Sequence, residues 1–268
     1  MALEQILFDI DDEIATVTLN RPEALNALSA QMMQELDKVL DEIAAKAGNE
    51  VKAMILTGAG RAFCAGGDVK SMSTRVYDTA SRRESLRGTH ERVYKLLNLE
   101  LPVISLVQGP AAGAGANIAL AADFVLATPK AMFMQAFGRI GLVPDYGGFF
   151  TLPRLIGLQR AKELIFTARK VGAEEAKSMG MVYEIVDADD PMQAAREFAG
   201  RFRHASTIAI GAAKNVLNQS LNLDFRAVGE LEAYAQALCS GTDYHKQAAR
   251  RFAAKEAAMF DWEKLSGD

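Results

Sequence analysis

The stretch 102–128, PVISLVQGPAAGAGANIALAADFVLAT, decides the fold. Its opening residues, PVISLVQG, are apolar and rich in β-branched side chains, and Gly109 ends them; they read as a strand. A loop of alanine and glycine follows, a helix begins near Gly115, and DFVLAT reads as the next strand. Strand, small-residue loop, helix and strand in succession are the signature of an α/β protein.

The unit has a forerunner. VKAMILTG (51–58) is a strand that runs into the glycine-rich loop AGRAFCAGGD, and a polar helical stretch follows from about Asp78 to Leu97. Upstream, ILFDID and EIATVTLN read as two strands joined by the acidic turn Asp11-Asp12. SAQMMQELDKVLDEIAAKAG reads as a helix capped by Ser29, with Met32, Leu36, Val39, Leu40 and Ile43 on one face and Gly48 at its end. Downstream, strands alternate with helices as far as VYEIVD (182–187), and the remainder is almost wholly helical. The expected organisation is an α/β core over 1–200 and a helical segment over 201–268 that covers a site, docks on a neighbouring subunit or completes the core.

At 268 residues, half of them hydrophobic, the chain can build a large core, and its formal charge of -4 is spread without a basic block. That argues against a nucleic-acid footprint. Cys64 and Cys239 are far apart, and His90, His204 and His245 show no metal-ligand spacing, so a reducing compartment and no structural metal are expected. The acidic start MALEQILFDIDDE does not resemble a secretory signal, and no run approaches membrane-spanning length; a cytoplasmic protein is expected.

The two small-residue loops invite comparison with known glycine-loop chemistries. Gly113-x-Gly115 lacks the third glycine of a dinucleotide fingerprint, since Ile118 stands there, and no acidic residue follows where a ribose would be read. There is no GxxxxGK[ST], and neither loop holds a serine nucleophile. Cys64 has no base nearby in sequence and reads as a small apolar packing residue. What remains is backbone N–H groups without a nucleophile, a pair suited to an oxyanion that develops on a substrate carbonyl.

With the loops read this way, the chain resembles the enoyl-CoA hydratase/isomerase, or crotonase, family. The resemblance is carried by TLNRPEALNALS (18–29), ILTGAGRAFCAGGDVKSM (55–72), the 102–128 stretch, GLVPDYGGFFTLPRLIG (141–157) and SMGMVYEIVD (178–187), with RFAAKEAAMF (251–260) a looser match. It implies a spiral of ββα turns with a C-terminal helical segment, a homotrimer or dimer of trimers, and an acyl-CoA thioester substrate with no cofactor beyond its coenzyme A. It places the thioester-binding amides at Gly67 and Ala114. It also implies contacts to the substrate from Arg21, Ala24, Leu25, Ala65, Asp68, Val69, Lys70, Gly113, Asn117, Phe137 and Lys255.

Departures from the family pattern direct the choice of reaction. The two glutamates that activate water in the hydratases fall at Asn117 and Phe137, and neither residue can transfer a proton in the working pH range. Asp145, in the VPDYGG segment, is the remaining carboxylate of the motif. Its structural readings are a turn residue or a cap for a helix that begins near Gly147 and buries Leu152, Leu155 and Ile156. The resemblance to isomerase members with a VPD aspartate implies instead a catalytic acid–base group for 3-enoyl-CoA to 2-enoyl-CoA isomerisation, its pKa raised by an apolar pocket. Rival readings are a hydratase, an aryl-CoA dehalogenase using Asp145 with His90, and a non-catalytic acyl-CoA-binding protein. Phe133, Phe137, Tyr146, Phe149 and Phe150 could shape an acyl pocket or serve as core, while Phe252 and Phe260 are expected to pack the last helix.

Overall fold

The computed structural model describes residues 3–68 and 78–263. Strands β1 (Ile6–Asp11) and β2 (Ile14–Leu19) form an antiparallel hairpin, and β3 (Ala53–Gly58), β4 (Val103–Val107), β6 (Phe124–Ala127) and β9 (Glu184–Ile185) extend it as parallel neighbours in the order β1-β2-β3-β4-β6-β9. A second sheet of three strands, β5 (Pro110–Ala112), β7 (Met132–Met134) and β8 (Lys170–Gly172), lies in the order β5-β7-β8. The hairpin turn is Asp12-Glu13, both at positive φ, one residue beyond the expected Asp11-Asp12; Asp11 pairs with Ile14 at the end of the ladder.

The six residues of β3 and the five of β4 are buried throughout, because helices lie on both faces of the large sheet. One face packs the main core, to which α1 (Ala30–Lys46) contributes Met32, Leu36, Val39, Leu40 and Ile43. Ser29 caps α1 as expected, accepting from the Met32 N–H at 3.0 Å. Glu35 on the same helix is buried, and its Oε2 accepts from the N–H groups of Glu4 (3.1 Å), Gln5 (2.8 Å) and Ile6 (3.0 Å), which fastens the start of β1. The other face carries Ile14, Ile55, Ile104, Leu106 and Leu126, covered by Ala195, Phe198 and Ala199 of α6 (Pro191–Gly200).

Helix α2 (Thr79–Leu97), capped by Asp78, is mostly polar and buries only Val93 and Leu96. Arg92 ties it to α1 through a two-point ion pair with Asp37, at 2.7 and 2.6 Å. The short α3 (Ala114–Ala119) is buried completely. Helix α4 (Gly148–Thr167) starts where expected, and a break at Gly157 interrupts it; Leu152 and Ile156 are buried, while Leu155 is 41% exposed and does not join the buried face.

After α5 (Ala173–Met179) and α6 the chain forms α7 (Thr207–Ser220), α8 (Phe225–Ser240) and α9 (Asp243–Ala253). Helix α7 is fastened to the core by Lys214, whose Nζ donates to Asp123 Oδ2 at 2.7 Å and to the Leu101 carbonyl at 3.2 Å. Helices α8 and α9 bury no residue within the chain. Phe252 is 86% exposed, so the expectation that it packs the last helix does not hold: among the described residues no element covers that side of α9. Among the described residues no helix is long and apolar enough to cross a membrane, and no group of three or more His, Cys, Asp or Glu side chains is placed to hold a metal ion.

Candidate active site

The two small-residue loops meet. Cys64 N–H donates to the Pro110 carbonyl (3.2 Å) and Ala112 N–H to the Cys64 carbonyl (2.9 Å), which laces the loop after β3 to β5. Gly66 sits at φ 97°, and a Cβ there would lie 2.6 Å from the Ala112 carbonyl oxygen and 3.6 Å from the Ala114 nitrogen. Only glycine permits both the backbone conformation and that approach. Leu28 N–H donates to the Gly66 carbonyl at 2.8 Å, so the entrance segment holds the loop from the other side.

The N–H groups of Gly67 and Ala114 are left without a protein acceptor among the described residues, and both residues line one cavity of about 350 Å³. Ala114 opens α3, so its N–H belongs to the first turn, where no intrahelical acceptor exists. Two free amides facing one cavity are the donors that an oxyanion needs.

Asp145 lines the same cavity. It caps no helix: Gly147 is the N-cap of α4 and has no side chain to offer. The turn is made by the Asp145 carbonyl, which accepts from Gly148 N–H at 3.0 Å. The carboxyl Oδ1 is buried and has no hydrogen-bond partner among the described residues. Burial holds this carboxyl above the ordinary carboxylate range, against the opposing pull of the Arg82 guanidinium and, more weakly, of His90. The other carboxylate on the cavity wall, Asp68, is paired with Arg21 at 3.4 Å.

The remaining expected residues divide. Ala65, Asp68, Gly113 and Phe137 line the cavity with Gly67, Ala114 and Asp145. Arg21 reaches it only through Asp68, and also donates to the Ala27 carbonyl at 2.7 Å. Leu25 holds the loop by accepting from Ala65 N–H at 2.9 Å, and Ala24 lies beside it in the same turn; neither lines the cavity. Asn117 is fully buried and lies behind the wall instead of on it. Lys255 is exposed beyond α9, away from the cavity lining, and Val69 and Lys70 lie outside the described residues.

Of the five aromatic candidates for an acyl pocket, Phe137 and Tyr146 line the cavity. Phe133 is core, Phe149 is exposed, and Phe150 stacks under Arg154 at 3.6 Å. Burial pushes the Tyr146 phenol up to about 12, so it stays protonated at neutral pH. His90 is exposed and lines a neighbouring cavity with Val93, Tyr94 and Leu97. Cys64 is fully buried and its thiol is pushed up to about 12 by burial, in keeping with a packing residue.

Two features escape a reading of the sequence. One wall of the cavity is the polar face of α2, with Arg82, Ser85, Thr89 and Arg92, whose spacing of three and four residues is visible but does not say which side of the helix faces inward. The second is Asn26, fully buried at φ 57°, whose Nδ2 donates to the carbonyls of Ala59, Ala62 and Phe63 and whose Oδ1 accepts from Arg21 N–H. The signal for it was an asparagine following a Pro-initiated turn, a residue type that tolerates the left-handed region.

The sequence model of the enoyl-CoA hydratase/isomerase family matches residues 9–264. The short-chain-enoyl-CoA hydratase of Clostridium acetobutylicum is 35% identical over 257 residues, which cover 95% of this chain and 97% of that protein. The 1,2-epoxyphenylacetyl-CoA isomerase of Escherichia coli is 34% identical over 263 residues, covering 96% and 98%. The crystal structure of an enoyl-CoA hydratase/isomerase from Cupriavidus metallidurans CH34 has a TM-score of 0.91 to this fold at 33% identity, with 97% of each chain covered. A match of that length takes in both laced loops, the Asp145 turn and most of the helical end, and so it shows that this chain belongs to the enoyl-CoA hydratase/isomerase (crotonase) family, whose members act on acyl-CoA thioesters.

Proposed function

We propose that the protein isomerises 3-enoyl-CoA to 2-enoyl-CoA thioesters, with Asp145 as its single proton-transfer group. The observation that carries this reading is the state of the Asp145 carboxyl: it faces the cavity of the two free amides, its Oδ1 is buried without a partner, and its pKa is raised. A carboxylate kept in reserve in this way suits a base that must take a proton and give it back.

In the proposed reaction the thioester oxygen accepts from Gly67 and Ala114 N–H. Asp145 removes a proton from C2, the negative charge spreads onto the thioester oxygen as a dienolate, and the resulting carboxylic acid returns the proton at C4. Each preorganised amide contributes roughly 3–4 kcal/mol to such a step. The shift is redox-neutral, so coenzyme A within the substrate is the only organic group the reading requires. The side chains at 117 and 137, an amide and a phenyl, supply no second acid–base group, which favours proton shuttling over water addition.

Coenzyme A would be held at the entrance by Arg21, Lys70 and Lys255 together with the backbone of Ala24, Leu25, Ala65 and Val69. The assembly that fits is a homotrimer or dimer of trimers: α8 buries nothing within its own chain yet presents Phe225, Tyr234 and Leu238 to the outside.

The test is a paired assay on one preparation, with 3-hexenoyl-CoA in one arm and 2-hexenoyl-CoA in water in the other, and products resolved by mass. Isomerisation without a mass change, lowered by about 100- to 10,000-fold in Asp145→Asn, is the expected result. Gain of one water in the second arm at a comparable rate would replace the isomerase by a hydratase.

A further inference from the structure

Asn117 occupies the position where the hydratase pattern has a glutamate, and its side chain has no exposure. Its Nδ2 donates to the Asp145 carbonyl at 2.7 Å, and its Oδ1 accepts from Gln135 Nε2 at 2.8 Å. The Asp145 carbonyl also accepts from Gly148 N–H at 3.0 Å, so two donors hold that one oxygen while the carboxyl Oδ1 of the same residue has no partner among the described residues. The residue is anchored by its carbonyl, and one of its carboxyl oxygens is left unsatisfied.

The direction of these bonds is fixed. A carbonyl can only accept, so Asn117 must turn its NH2 to Asp145, which leaves its oxygen for Gln135, and Gln135 must then present its own NH2. A carboxylate at 117 would face the Asp145 carbonyl with no proton to give. Space is equally strict: a Cβ on Gly148 would lie 2.3 Å from Asn117 Nδ2, so the amide fills its slot.

Asn117 also lies one helical turn beyond Ala114 on α3. The same buried turn therefore carries one amide of the proposed oxyanion site and the clamp on the proposed base. We propose that Asn117 is a positioning residue that fixes the Asp145 carboxyl relative to the Ala114 and Gly67 amides by holding the Asp145 backbone. The inference rests on the reading of Asp145 as the proton-transfer group.

It is tested by kinetics on 3-hexenoyl-CoA and binding of hexanoyl-CoA, which has no double bond to move. Asn117→Ala is expected to lower kcat by about 10- to 100-fold, the scale of a base displaced by about an ångström, with hexanoyl-CoA affinity within about twofold of the parent. Because the clamp acts through Asp145, the loss should vanish in the Asp145→Asn background, a non-additivity that loss of packing alone would not produce. Ser105→Ala is the packing control: Ser105 is buried and its Oγ donates to Ala119 at the far end of α3 at 2.9 Å, and its kcat should stay within about twofold. Should Asn117→Ala fail to fold, Asn117→Leu, similar in shape but without any donor, replaces it with the same expectation. The inference is overturned if the Asn117 variants lose no more than Ser105→Ala, or lose the same factor with and without Asp145. An Asp145→Asn enzyme that keeps the parent rate overturns the underlying reading first, and that result is visible in the single variant alone.

Discussion

At position 145 the carbonyl closes a turn and the carboxyl is left for the cavity, so backbone and side chain serve separate ends. Burial disfavours the charged carboxyl, and a base with a raised pKa is protonated and idle in acid. For 3-hexenoyl-CoA, kcat/KM is therefore expected to rise with pH through an apparent pKa above the ordinary 3.8, and that limb should be missing from any residual activity of Asp145→Asn. Stability follows the opposite sign. A folded-state pKa raised above the unfolded one means that the folded protein binds the proton more readily, so this group's contribution is complete below the unfolded pKa and declines as pH rises through the folded one. Asp145→Asn should accordingly melt at or above the parent temperature at pH 7 by calorimetry, while losing turnover.

The elements around the site depend on contacts between loops more than on the helices and strands that lead into them. Gly66→Ala would bring a methyl to 2.6 Å from the Ala112 carbonyl and force a φ of 97° on a residue with a side chain. A loss of about 1–3 kcal/mol in urea unfolding is expected, with a larger loss of activity because the Gly67 amide moves with it. Glu35→Ala would strand three backbone N–H groups at the start of β1, and a loss of about 2–3 kcal/mol is expected in the same measurement. The apolar stripe of α1, the Ser29 cap, the start of α2 near Asp78 and the strands 53–58 and 103–107 were legible because each follows from a local pattern. The Asp12-Glu13 turn was displaced by one residue because the ladder register of the hairpin decides it, and composition does not. Leu155 was misplaced because it stands about 100° around the helix from Ile156, at the edge of the buried face. The meeting of the Gly67 and Ala114 loops was anticipated from their shared pattern, and the Asn117 and Asn26 clamps were not, since their partners are backbone carbonyls that any sequence carries.

Across the whole molecule α7, with Lys214, Asn215 and Asn218 bonded to the segment 97–123, holds the helical end to the core. The Lys214–Asp123 pair joins α7 to the sheet end with only 7% of the lysine side chain exposed. Lys214→Ala would leave Asp123 short of its charge partner, and a loss of about 3 kcal/mol is expected in thermal or urea unfolding. Helices α8 and α9 stand outside that attachment and keep their apolar side chains on the surface of the single chain. The placement of the two cysteines on either side of this division has a practical result. Cys64 is sealed in the core with its thiol pushed up to about 12, whereas Cys239 sits partly exposed on α8. A maleimide dye at neutral pH should therefore couple to Cys239 alone, without any engineered site. It would give the native chain a fluorescent reporter on the helix that faces outward, able to follow association of chains by energy transfer while the cavity turns over substrate.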